Sequence, residues 1–363
     1  MDIGILLPFP VDQMDPKNSL YLKRLAEIAH LRGIRCLLFT LEDTDLEQNQ
    51  VHAHTLAPTG ESTFHYNGPY SLPPVIYNRL DTNYLATPEA RAVFEHFVRH
   101  LYLQRPQIKI FNLHHINKYE FYRLFSHIKE LNRYLPDTQI YDPQALSLFL
   151  EKHKSILLKP FNLSLGKGIC QINKENGSLL IKFRVNKQLY HGHSPDLATL
   201  LKFLPQVMLQ DQYLMQERVD LATLDDNPIF FRVHLFKKQK AAWRISAISG
   251  RVGNKHDYLV TYTAGAVFME YRTLLQQVFG ANAKKVEAEI IIANLLAAQI
   301  LDAESPYLLG ELGADIAVAK NGEVKIIEIN YKPGWSQYDD TIAIQTQICH
   351  HFLDFCTSLP DSE

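Results

Sequence analysis

Along the first third of the chain, short apolar runs of strand length alternate with longer stretches whose apolar positions recur every three to four residues. IGILLPF reads as a buried strand. SLYLKRLAEIAHLRG (residues 19–33) reads as a helix with Ser19 as its cap and Gly33 just past its end, and IRCLLFT as a second strand. Residues from about Val51 to Tyr70 read as hairpin strands, one of them closed by Asn67-Gly68. VIYNRL, PEARAVFEHFVRHLYLQ and IKIFN continue the alternation as strand, helix and strand. A second unit opens near Asn112 with the helical spacing of NKYEFYRLFSHIKELNRYL, then QALSLFLEKHK running into the strand SILLKPF. YLMQERVDL reads as a strand leaving one subdomain, and IIIANLLAAQI as an amphipathic or core helix.

Near the C-terminal end, ELGADIAVAKNGEVKIIEINYKPG alternates like a strand pair around Asn321-Gly322, a strong signal for a two-residue turn with positive φ at both central positions. With those two residues as the loop, Lys320 faces Glu323, and counting back places Asp315 opposite Glu328. The period of two returns Asn330 to the same face. Opposed carboxylates in a ladder repel, and the flanking Ile316, Ala317, Val318, Ile326, Ile327 and Ile329 leave no polar edge to solvate them. Two readings offset the repulsion: a hard divalent cation such as Mg²⁺ held by the three oxygen-bearing groups, or one protonated acid in a structural hydrogen bond.

Composition narrows the classes. With 363 residues, 46% hydrophobic and 21% charged, the chain implies two or three packed units. A formal net charge of -2 favours neither a general nucleic-acid binder nor an anionic membrane surface. The start MDIGILLPFPVDQ is not a signal peptide, and no apolar run has the length of a membrane span. Cys36, Cys170, Cys349 and Cys356 form no CxxC pair, which suits free thiols in a reducing cytoplasm. The His114-His115 and His191/His193 pairs lack a third ligand at suitable spacing and read as surface residues.

Mg²⁺ with few protein ligands commonly completes its shell with substrate phosphates. In SILLKPFNLSLGKGICQI, Gly166 and Gly168 free backbone N–H groups to turn toward an anion, while Lys159 and Lys167 supply charge. The loop is not a Walker A motif, because Gly168 follows Lys167 where Ser or Thr is required. An ordinary hairpin turn is the competing reading.

In order, these pieces resemble the ATP-grasp superfamily: a lysine opening a helix (Asn117-Lys118), a strand lysine before a small-residue loop (LLKPFNLSLGKGI), a hinge strand (MQERV), an internal arginine (FFRVH) and the final Asp-to-GluxAsn hairpin. More narrowly, FNLHHINKYEFYRLF, YLPDT, LLKPFNLSLGKGI, GRVG and EIN-Y-KPG are similar to the YheC/YheD group, bacterial proteins labelled endospore coat-associated. The resemblance implies mixed α/β and α+β architecture. Residues 1–111 would be an N-terminal pre-ATP-grasp α/β domain and residues 112–363 an ATP-grasp domain, with a central lid over roughly 150–216 and a C-terminal subdomain from roughly 217. It further implies ATP and Mg²⁺ as cofactors. Lys118 and Lys159 would contact the phosphates, Ser164, Gly166 and Gly168 would cover them, and Glu217 and Val219 would meet the adenine through their backbone. Asp220 would accept from the ribose. Asp315, Glu328 and Asn330 would hold metal, and Arg232 and Arg251 would steady the γ-phosphoryl group. Lys332 either touches substrate or caps a turn. Two departures, Phe230-Phe231 where relatives carry an acid and Gly265-Ala266 in place of a glycine pair, fall on the acceptor pocket.

The activity so implied is ATP-dependent joining of a small-molecule or peptide carboxylate to an amine-type nucleophile. A catalytically idle nucleotide-binding coat-associated protein and a kinase on the same scaffold stand as alternatives. The expected setting is cytoplasmic, with a spore association left open by the family's label, and no nucleic-acid or membrane partner is expected.

Overall fold

The opening alternation folds as its pattern requires. Strands Asp2–Leu6, Arg35–Phe39, Val75–Asn78 and Lys109–Phe111 pair in parallel, and helices Pro16–Leu31 and Pro88–Gln104 cross over between them. The computed structural model of the chain describes residues 1–56, 63–81, 83–163, 166–185, 188–209, 212–238, 242–261, 264–334 and 342–359. The first helix begins three residues ahead of Ser19, because Pro16 is already set for a first helical position. It ends as expected: Gly33 at φ +70 donates to the His30 carbonyl and Ile34 to the Ala29 carbonyl, both at 2.9 Å.

Antiparallel strands Gln50–Leu56 and Phe64–Ser71 widen this first sheet. Asn67-Gly68 is not their turn but lies inside the second strand, where the pairing slips between Val51 and Ala53. A Cβ on Gly68 would sit 2.9 Å from the His52 ring, so the glycine serves close strand approach at a bulge.

The central sheet runs in the order Gln188–Ser194, Ser178–Val185, Cys170–Glu175, Ser155–Pro160, Tyr213–Glu217, Thr138–Ile140. Helices Leu146–His153 and Leu197–Val207 cover one face through Ile156, Leu158, Ile172, Ile181 and Met215. Strand alternation therefore turns Lys159, Gln171 and Gln216 to the other face. The third sheet runs Val267–Met269, Trp243–Val252, Asn227–Lys237, Glu311–Val318, Val324–Asn330. Helix Ala283–Glu304 backs it through Val286, Ile290, Ala293 and Ala297.

Two features tie the third sheet to the first. Helix Ile342–Ser358 shares a core with Ile3, Tyr21 and Leu25. Asn112, wholly buried at φ +55, donates to the Glu311 carbonyl at 2.7 Å and accepts from the Gly310 N–H at 2.8 Å. All four cysteines are free and buried. Among the described residues no helix is long and apolar enough to cross a membrane.

Candidate functional site

The C-terminal hairpin forms, with a loop one residue longer than the Asn-Gly signal predicts. Ala319 pairs with Glu323 at 2.8 Å, the loop is Lys320-Asn321-Gly322, and of these only Gly322 has positive φ, at +85. That is the three-residue hairpin closed by a left-handed glycine. Alone it would have shifted every facing pair by one. A bulge between Asp315 and Ile316 leaves Ile327 as an extra residue and restores the register, so Asp315 faces Glu328 and Gly313 faces Asn330. Asn330 donates to Glu328 Oε1 at 3.2 Å, which leaves its amide oxygen for another partner.

Positive charge surrounds the carboxylates. Arg232, only 1% exposed, lies directly across from Asp315, with Nη1 3.1 Å from Oδ2. Arg251 Nη1 is 3.8 Å from Asp315 Oδ1, and its guanidinium stands over the Phe268 ring at 5.9 Å. Lys118 opens helix Lys118–Phe125, capped by Asn117 with Glu120 in a reciprocal box, and its Nζ is 3.8 Å from Glu328 Oε2. Gly313 is what admits Arg232: a Cβ there would lie 2.5 Å from Arg232 Nη2 and 2.5 Å from Pro333 Cβ.

Burial pushes the Asp315 carboxyl up; Arg232 and Arg251 pull it back only in part, and Glu328 adds to the rise. Burial also pushes Glu328 up, but Lys118, the Asn330 amide and Lys159 outweigh it and hold Glu328 at about 2. The shared proton therefore favours Asp315, and a cation bound between the two acids would displace it. Asp315 Oδ1 is buried and accepts no hydrogen bond from the described residues. Two carboxylates, one with a buried oxygen that accepts no hydrogen bond, and an amide oxygen suit a hard divalent cation. Among the described residues no three His, Cys, Asp or Glu side chains converge as a metal cage, so water or substrate oxygens would complete the shell.

Beside this row lies a cavity of about 510 Å³ between the central and third sheets, lined by Lys118, Lys159, Gln216, Glu217, Thr138 and Ile327 among others. Its volume is that of a small-molecule site. Burial pushes the Lys159 ammonium down to about 8. Its Nζ donates to Gln216 Oε1, and Gln216 Nε2 donates to Thr138 Oγ1 at 3.0 Å. Glu217 gives its N–H to the Asp137 carbonyl at 2.8 Å, and its carboxylate stands 3.2 Å from His153 Nδ1. Gln216 lies in MQERV and Asp137 and Thr138 in YLPDT, but their meeting with His153 at this cavity was not found from sequence, because only the sheet order brings them together.

Gly166 and Gly168 lie at φ +74 and +70; Ser164 falls outside the described residues. A strap from the third sheet, residues 257–259, holds this loop down. Tyr258 donates to the Ile169 carbonyl at 2.7 Å, Asp257 pairs with Arg184, and Leu259 Cδ1 occupies a point 2.7 Å from where a Gly166 Cβ would be.

Three expected residues are not brought to the cavity. Asp220 is exposed and ion-paired with Lys320 at 3.0 Å, in a separate cavity of about 110 Å³. Val219 is half-buried and outside the main cavity's lining. Lys332 donates to the Leu80 carbonyl at 2.6 Å, and burial, with Arg79 adding, lowers it to about 7. The reading of His115 as a surface residue is corrected: it is half-buried, and burial, Lys332 and Lys118 push it down while Glu328 pushes it up. His114, His191 and His193 are exposed.

A lysine-bearing antiparallel lid, a glycine turn, a hinge strand and a carboxylate hairpin packed behind a parallel α/β domain define the ATP-grasp fold. The sequence model described as "YheC/D like ATP-grasp" matches residues 107–359. The chain belongs to that family. It is 25% identical over 324 residues to the endospore coat-associated protein YheD of Bacillus subtilis (strain 168), covering 88% of this chain and 69% of YheD. Among solved structures, the ATP-grasp ligase PsnB complexed with minimal precursor, Mg and ADP superposes with a TM-score of 0.52 at 13% identity, covering 98% of this chain and 97% of that one. The VanG D-Ala:D-Ser ligase from Enterococcus faecalis superposes with a TM-score of 0.54 at 10% identity, covering 99% of each chain. At such identities the likeness is one of fold.

Proposed function

We propose that the protein is an ATP- and Mg²⁺-dependent ligase that activates a small-molecule or peptide carboxylate as an acylphosphate and joins it to an amine-type nucleophile. The observation that carries the reading is the row Arg232, Asp315, Glu328, in which a buried carboxylate oxygen accepts no hydrogen bond from the described residues, beside a cavity of nucleoside size. Membership of an ATP-grasp family, and fold neighbours that are ligases, one of them complexed with Mg and ADP, support it.

On this reading Asp315, Glu328 and Asn330 hold the metal, which when bound neutralises charge on the β- and γ-phosphates. Lys118 and Lys159 meet the phosphates, the turn at Gly166 and Gly168 covers them, and the cavity beside Gln216 and Glu217 takes the base. The acceptor carboxylate oxygen attacks the γ-phosphorus as the bond to the departing ADP oxygen breaks, with Arg232 and Arg251 facing the charge in motion. The amine then attacks the acyl carbon, phosphate leaves with the electrons of the C–O bond, and the amine loses a proton. Positioning and charge do most of this work, which suits a site rich in cations.

The test measures ADP and phosphate release with Mg-ATP across amino acids, small diacids and peptides. Asp315→Ala and Glu328→Ala are each expected to abolish acceptor-dependent release; undiminished turnover in both defeats the reading. ADP formed with a phosphorylated acceptor and no free phosphate would instead identify a kinase.

A further inference from the structure

The row of charges on the third sheet extends one strand further than the reading above uses. Ser249, on strand Trp243–Val252, is the directly opposed partner of Arg232, which is in turn opposite Asp315. Directly opposed residues share a face of the sheet, so Ser249, Arg232, Asp315 and Glu328 form one line across four strands. Arg251 lies two residues from Ser249 on the same face. Ser249 is 7% exposed, and its Oγ has no hydrogen-bond partner among the described residues.

An unsatisfied buried hydroxyl is unfavourable unless something fills it. The neighbours in line specify what that is. Guanidinium groups only donate, so Arg232 and Arg251 can satisfy the serine's lone pairs but never its proton. The proton needs an oxygen acceptor, and two flanking cations favour an anionic one. At the other side of Arg232, Asp315 Oδ1 accepts no hydrogen bond from the described residues and has Arg251 Nη1 at 3.8 Å. The two unfilled atoms belong to strands two positions apart, a separation of roughly 10 Å between backbones. The Arg232 and Arg251 guanidinium groups reach Asp315 across that interval.

We propose that the Ser249 hydroxyl donates a hydrogen bond to the terminal phosphoryl group of bound ATP, between Arg232 and Arg251, and that Ser249 is a further residue of the phosphate site. The inference rests on the nucleotide reading above. It concerns the γ-phosphoryl group alone, which separates ATP from ADP.

The experiment is calorimetric titration of the full chain with Mg-ADP and with the Mg complex of a β,γ-imido ATP analogue, alongside thermal unfolding without ligand. Ser249→Ala is expected to bind the analogue roughly tenfold or more weakly while keeping its affinity for Mg-ADP. Its unfolding temperature should be equal or higher, since an unsatisfied buried group has been removed. Ser249→Cys, nearly the same size but a poor donor, should follow the alanine variant. An unchanged ratio of analogue to ADP affinity, or an equal loss for both, overturns the assignment of Ser249 while leaving the nucleotide site standing. If the unaltered protein binds neither ligand, the nucleotide reading falls and this inference with it.

Discussion

Gly313→Ala puts the packing account of the site at risk without touching a charged group. A Cβ at this position would lie 2.5 Å from Arg232 Nη2, 2.9 Å from Arg232 Cζ and 2.5 Å from Pro333 Cβ. Neither neighbour can swing aside freely. The Pro333 carbonyl accepts from Arg79 at 2.9 Å, and the Arg232 guanidinium is buried against Asp315. Overpacking of this kind costs about 1–3 kcal/mol. If Arg232 is displaced, Asp315 is left buried without its closest charge, which raises the loss toward about 5 kcal/mol. A loss near 3 kcal/mol is therefore expected. Urea unfolding followed by tryptophan fluorescence measures it, because Trp243 lies on the strand that pairs with that of Arg232. In an Arg232→Met background the same alanine should cost less, with a coupling above about 1 kcal/mol between the two sites. A loss below about 0.5 kcal/mol, or no coupling, would refute the claim that Gly313 exists to seat Arg232.

Lys159 should weaken the free protein. Its ammonium falls from 10.5 to about 8 on folding, so the unfolded chain binds more protons between those values and stability rises with pH across that window. Lys159→Met is accordingly expected to gain roughly 3 kcal/mol at pH 7, a gain that shrinks as pH climbs past 8, while nucleotide binding is lost; equal denaturant midpoints at pH 7 would contradict this. Asp220→Ala should leave nucleotide affinity within about twofold, since Asp220 is paired with Lys320 away from the cavity; a tenfold fall would show that it reaches the ligand. Asp257→Asn and Tyr258→Phe should each speed hydrogen exchange at the amides of Gly168 and Ile169 without nucleotide, and unchanged protection would show that the strap does not hold the glycine loop.

Long elements with clear periodicity were legible in the chain. PEARAVFEHFVRHLYLQ forms the helix Pro88–Gln104 over its full length, and SILLKPF forms Ser155–Pro160 with its lysine on the open face. The helix after Asn117 was read too long: it stops at Phe125 and resumes as a short turn, Lys129–Asn132. Local signals failed where distant backbone competed. Asn67-Gly68 has the composition of a turn, but the approach of His52 makes it a bulge. The opposition of Asp315 and Glu328 was legible because it depends on one hairpin, whereas Arg232, Arg251 and Lys118 stand on other elements and came only from the family resemblance. What escaped were contacts set by sheet order: Gln216 against Thr138, Ser249 against Arg232, and the strap at Tyr258. Asp220, expected at the ribose, stands away from the cavity because one residue later the chain is already bridged to Ala319.

The C-terminal hairpin contains two irregularities, the long loop and the extra Ile327. Both absorb length change locally: with Ala319 still opposite Glu323 and Ile316 opposite Ile326, losing one loop residue or the bulged Ile327 would leave Asp315 facing Glu328. Length variation at these two points is thus two independent heritable characters. Among descendants of a common ancestor, a gap at Lys320–Gly322 and a gap at Ile327 should occur without regard to one another, and neither by itself should part the two acids.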